Sequence, residues 1–162
     1  MDVVAILRRS GGLDALARQL GEKPPQVYAG ATAMMPGLID AMRAQVQALG
    51  GSRIGVNRLV TMFENYGNGK LAEDVMAPGK VDPAPGLELL GIMFGPEGAL
   101  SLAAGEPARA SGVEAALLEA MLPLLTMLTC GYFSAMAIGN AAVAPQGGTG
   151  FGAIVELLTA QA

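Results

Sequence analysis

Between Ala120 and Val155 the chain carries no ionised side chain. The part from Ala120 to Ala144, "AMLPLLTMLTCGYFSAMAIGNAAVA", is long enough to span a bilayer, for which about 20 apolar residues suffice. A chain holding such a segment either gives it to lipid or wraps it in its own helices. Three features select the second. Thr126, Thr129, Ser134 and Asn140 interrupt the segment with hydroxyl and amide groups, and Pro123 stands near its start. No Lys, Arg or Trp closely follows it to anchor a membrane interface. The rest of the chain supplies further helices whose apolar faces need a partner. A helix that is apolar nearly all round is what the middle of a bundle requires, so the segment reads as core and membrane insertion is not expected. Thr126, Thr129, Phe133, Met136 and Asn140 fall near one stripe of it, expected either as a small-residue packing seam or as its least buried side.

The remaining composition agrees with packed helices. Charged residues make up 15% of the 162, against about 25% in an ordinary soluble domain. Aromatic and β-branched residues that favour strands are few, and Ala, Leu, Gly and ten Met fill their place. The fold class expected is all-α, a single multihelical bundle around a central apolar helix. Residues 1–144 form the bundle, and 145–162 form a Gly-rich link and a C-terminal helix docked on the same domain.

Helix signals recur along the chain. "GLDALARQLG" places Leu13, Leu16, Ala17 and Leu20 on one face and ends on Gly21 as a C-cap. Pro24-Pro25 suits the first turn of the next helix, which Pro36 is expected to kink or split. Leu38, Ile39, Met42, Val46 and Leu49 continue its stripe to Gly50-Gly51. "GVNRLVTMFENYG" offers Val56, Leu59, Val60 and Phe63, and the short helix "KLAEDVM" follows. Ala77–Gly86, with three Pro and two Gly, is the clearest internal loop. "LELLGIMFG", "EGALSLAAG" and "SGVEAALLEAM" come next, then Pro123 inside the uncharged stretch. Ala-Met-Met-Pro-x-Leu at 33–38 aligns with Ala-Met-Leu-Pro-x-Leu at 120–125, a weak internal duplication to set against chance in Ala/Leu/Met-rich helices.

Several chemistries are excluded. Without His there is no Ser-His-Asp triad, no Cys-His dyad and no His-ligated zinc. Cys130 lies in the most apolar stretch and reads as a buried, inert thiol. "ENYGNGK" and "GGTGFG" lack both the preceding strand and the spacing of a phosphate loop, and read as linkers. Glu73 and Asp74, adjacent on a helix, point about 100° apart and cannot chelate alone; with Glu64 they read as a solvated face. No catalytic residue, metal site or cofactor is expected, and the protein is expected not to be an enzyme. The N-terminus, "MDVVAILRRSGG", has Arg after its short apolar run, the reverse of a secretory signal, so a cytoplasmic location is expected.

Charge is unevenly placed. Residues 1–60 hold seven Lys/Arg against four Asp/Glu, and residues 61–162 hold three against ten; the plain reading is a mixed, solvated surface, and the sharper one is that the two halves attract within one chain or between chains. "LARQLGEKPPQV" has the spacing of a helix-turn-helix in Ala17, Gly21 and Val27, which would turn Lys23, Gln26 and Tyr28 toward DNA. Against it stand Glu22 in the turn, Gly30 where the second helix packs, and no further cation until Arg43, although phosphate binding needs several. The plainer reading is a helical hairpin, and nucleic acid is not the expected partner. Arg53 and Arg58 beside Asn57 make a small basic patch. Lys23, Gln26, Tyr28, Arg53 and Arg58 are thus the candidate interaction surface.

"LARQLGEKPPQV" leading to "MMPGLIDAM", then "GLELLGIMFGPEGAL", then "LLEAMLPLLTML" after "ASG", resemble the bacterial YidB-like family, domain of unknown function 937, over about Leu13 to Ser134. The run from Gly112 to Pro123 looks one helical turn short of the family pattern. The resemblance implies a soluble bacterial multihelical bundle and brings no activity, cofactor or catalytic residue. The function expected is a non-catalytic interaction or scaffold protein that self-associates or holds a protein partner. The alternatives are a binder of an apolar ligand or of a membrane surface, and a DNA binder through residues 16–28.

Overall fold

A computed structural model describes residues 2–67, 70–105, 109–137 and 150–159. All regular structure among them is helical: α1 (Val3–Arg9), α2 (Gly12–Leu20), α3 (Pro24–Ala48), α4 (Ser52–Asn65), α5 (Lys70–Met76), α6 (Ala84–Ala104), α7 (Ala115–Ala137) and α8 (Gly150–Thr159). The side chains of 96–104, 136–137 and 150–153 are outside the description, as are Asn140 and the Gly-rich link expected from residue 145.

Local chemistry sets the helix ends. The Asp2 carboxylate accepts from the Ala5 N–H and caps α1. Gly21, in the left-handed region at φ 66°, closes α2: the Glu22 N–H reaches the Ala17 carbonyl while the Gly21 N–H reaches Arg18, the paired bonds of a Schellman turn. Pro24 and Pro25 open α3 where a missing N–H costs nothing. The loop expected over Ala77–Gly86 is shorter than its Pro and Gly content implies, because α6 begins at Ala84.

α7 is the hub and touches each of the other seven helices. Every residue from Met121 to Ser134 is buried, and the window of Ala115–Ala135 that has the length and hydropathy of a membrane span is 78% buried. Burial of that much apolar surface is the main source of stability for the bundle. Of the stripe noted in the sequence, Thr126, Thr129 and Phe133 are fully buried, so it is an inner seam and not the least buried side.

Glycine lets the neighbours come close. A Cβ at Gly131 of α7 would stand 2.5 Å from the Ala72 backbone nitrogen of α5, and one at Gly55 of α4 would stand 2.2 Å from the Val46 carbonyl oxygen of α3. Gly30 of α3 faces Met121 and Leu118 of α7 in the same manner, so it serves a crossing with the central helix.

Of the kink or split expected at Pro36, the split does not occur. α3 runs through Pro36 and α7 through Pro123 without a break. Each proline removes one backbone bond, and burial on both sides of it (Met34, Met35, Leu38 and Ile39 in α3; Met121, Leu122, Leu124 and Leu125 in α7) keeps the helix from ending there. The two prolines occupy unlike sites, Pro36 exposed and Pro123 buried, which gives the proposed duplication no structural support. The break instead falls at Gly95 inside α6, at φ 74° and ψ 178°. A proline disfavours the helical region for the residue before it, Gly95 leaves that region at no steric cost, and Pro96 then starts the second segment.

α8 packs against α3, α4 and α7 with Ile154 and Leu158 buried, and Arg43 Nε donates to the Leu157 carbonyl at 2.9 Å.

Candidate functional site

The five residues singled out in the sequence do not form one surface. Lys23 and Gln26 are exposed at the start of α3. Tyr28, one turn on, is engaged: its hydroxyl donates to the Asp14 carboxylate of α2, and the Arg8 guanidinium lies 4.6 Å above its ring. The hydrogen bond to Asp14 raises the phenol above its ordinary pKa, more than the Arg8 charge lowers it. Tyr28 therefore ties α1, α2 and α3 together. Ala17 and Val27 are core positions, as the helix-turn-helix spacing requires, yet α3 continues to Ala48 as one long helix.

Arg58 points back to α3, where Nη1 donates to the Leu49 carbonyl at 2.8 Å beside Gly50. It caps a helix C-terminus, which favours a cation. Arg53 is exposed on the same helix next to Ile54, whose side chain is 62% exposed.

Polar side chains that drew no notice in the sequence do more. Arg18 Nη2 donates to the carbonyls of Met76 and Ala77, and Gln19 Nε2 donates to those of Val75 and Gly79. Gln19 Oε1 accepts from the Val81 N–H at 3.1 Å. These two residues of α2 clamp the end of α5 and the loop after it.

The clamp forms one edge of a cavity of about 360 Å³ among α1, α5 and α7, with Leu7, Met76 and Leu128 as its apolar wall and Glu73 and Tyr132 as its polar groups. A second, wider groove of about 540 Å³ runs between α1, the Pro36 region of α3 and Leu157 of α8. Its charges are internally matched; Arg43 pairs with Asp40 at 3.2 Å.

The other conspicuous surface is apolar. α6 is apolar on every side as far as Gly95, with Glu88 its one charge there. Leu89, Leu90 and Met93 are buried against the bundle, whereas Leu87 is 55% and Ile92 40% exposed. Gly91, between them, has nothing within 4 Å of where a Cβ would stand.

No group of three or more Cys, Asp or Glu among the described residues is arranged to hold a metal. Cys130 is fully buried, and burial pushes its thiol far above the ordinary range, so it stays protonated at neutral pH.

Residues 9–135 match the family model described as "Bacterial protein of unknown function (DUF937)". Neither a curated protein nor a solved structure matches the chain.

Proposed function

Since the chain belongs to the DUF937 family, the domain family associated with YidB-like bacterial proteins, we propose that it is a non-catalytic helical interaction module that pairs with a second copy of itself through the outer face of α6. The observation that carries this reading is Leu87 and Ile92 standing open to solvent on a helix whose outward side has Glu88 as its one charge as far as Gly95. Apolar side chains on the outer side of a helix favour a covering partner, and α7 and α3 cover only the inner side of α6. Gly91, four residues from Leu87, leaves room for a second helix to approach closely. A twofold contact lets each copy cover the other's patch with no further species. The opposite charge of the two halves of the chain adds attraction between copies.

The test is sedimentation velocity on the full chain across a wide concentration range, beside a Leu87→Glu/Ile92→Glu variant. The expected result is concentration-dependent dimer for the parent and monomer for the variant with unchanged helicity. A parent that stays monomeric at every concentration rules out self-pairing, and a variant that still dimerises moves the contact away from α6.

A further inference from the structure

Successive residues of a helix stand about 100° apart, so Leu87 and Ile92 bound an arc of about 140° on α6. Gly91 and Glu88 lie inside that arc, about 40° and about 100° round from Leu87. Burial follows the same division. All four of these residues are exposed, whereas Gly86, Leu89, Leu90 and Met93 on the remaining arc are buried. Glu88 therefore stands among the apolar side chains of the outer face and not at its edge. Any partner broad enough to cover both Leu87 and Ile92 covers the Glu88 carboxylate as well.

A carboxylate taken out of water needs a cation beside it or a proton on it. α6 holds no Lys or Arg, and the Glu88 side chain makes no hydrogen bond or ion pair among the described residues. The helices packed against α6 are α3 and α7. Their charged side chains are Glu119 of α7, a second acid, and Asp40 and Arg43 of α3, which pair with each other at 3.2 Å. In the segment leading into α6, Asp82 accepts from the Ala84 N–H, and Lys80, ahead of Pro83, forms no salt bridge among the described residues. In a twofold contact Glu88 enters from both copies, three residues before the Gly91 over which a second helix can close. Two carboxylates covered in one patch repel each other, and both burial and repulsion favour the protonated form.

We propose that protonation at Glu88 switches the pairing of copies through α6: the paired form takes up protons there, so association tightens as the solution is acidified. This rests on the reading of α6 as the self-pairing face and adds what regulates that face.

Sedimentation velocity of the full chain at pH 7.5 and pH 5.5, beside Glu88→Gln and Glu88→Lys, tests it. The parent is expected to associate at least about tenfold more tightly at the lower pH. Glu88→Gln keeps the shape and removes the charge; it is expected to pair at pH 7.5 at least about tenfold more tightly than the parent and to lose most of the pH dependence. Every other carboxylate is common to the two chains, so their comparison removes the general effect of lower net charge. An equimolar mixture of the parent with Glu88→Lys at pH 7.5 is expected to form mixed pairs at least about tenfold tighter than the parent's own, because the two facing positions then carry opposite charge. Parent pairing that is equally tight at both pH values, a pH dependence that Glu88→Gln keeps in full, or mixed pairs no tighter than the parent's own each overturns the switch and leaves the pairing face in place. Single chains in every sample overturn the pairing itself, and the switch with it.

Discussion

Gly86 of α6 lies so close over Pro123 of α7 that a Cβ at position 86 would stand 2.1 Å from the proline carbonyl oxygen. The obstacle is backbone in the middle of the most buried helix, and it cannot swing aside. Gly86→Ala is therefore expected to destabilise the fold by about 2–3 kcal/mol, in spite of the helix propensity that alanine adds. Gly91→Ala, one turn further on in open space, is expected to stabilise by about 0.5–1 kcal/mol. Urea denaturation of the pair checks both signs; equal effects would refute the close approach of α6 to α7.

Gln19→Ala removes donors to several carbonyls of the α5 end and frees the Val81 N–H. A cost of about 1–2 kcal/mol is expected. Amide exchange at Val81 rises at the same time, while amides of the α7 core stay protected. Exchange that rose everywhere equally would mean that the clamp acts on global stability alone.

Cys130 is expected to be inert to a thiol reagent in the native state at pH 8 and to react at once in denaturant, because the fold both shields the thiol and keeps it protonated. The labelling rate against urea reports the opening of α7. Fast labelling without denaturant would contradict the burial of the central helix.

Tyr132→Phe removes a buried hydroxyl that has no partner, and a gain of about 1 kcal/mol is expected at neutral pH. Burial raises the Tyr132 phenol above its ordinary value, and the Arg9 charge lowers it less. The folded pKa thus lies above the unfolded one. The stability tied to the neutral phenol is present below about pH 10 and is lost as pH rises through the folded value. Stability of the parent falls at alkaline pH, and Tyr132→Phe flattens that fall without abolishing it, because Tyr28 shifts in the same direction through Asp14. Thermal melts between pH 8 and pH 12 measure the difference; parallel curves would contradict it.

Much of the fold is legible in the chain because apolar periodicity reports directly on burial. Leu13, Leu16 and Ala17 before Gly21, and Val56, Leu59, Val60 and Phe63 further on, lie inward as their spacing implies. The uncharged stretch marks the hub, as far as Ala137 is described. Pro36 misleads as a helix stop, since packing on both sides outweighs the loss of one backbone bond. Glycines inside helices, at 30, 55, 86 and 131, were an available signal, because a helix tolerates that residue mainly where something needs its space. The roles of Arg18, Gln19 and Arg58 were not available. Their partners are main-chain carbonyls, which every residue carries, and in the clamp they lie 56 to 60 positions away. The cavity is equally silent in the sequence, for Leu7, Glu73 and Tyr132 meet only when three separate helices have packed.

Because one late segment touches every other helix, synthesis confronts the cell with an ordering problem. Ribosomes release the chain at about 5–20 residues per second, and the first hundred residues emerge before the piece they must wrap around. Until Ala115–Ala137 arrives, α1 through α6 can pack only on one another, and the sides they turn toward the hub stay open. Growing chains of this protein are accordingly expected to lean on chaperones, and premature termination anywhere before that segment yields clients for proteolysis and no smaller functional version.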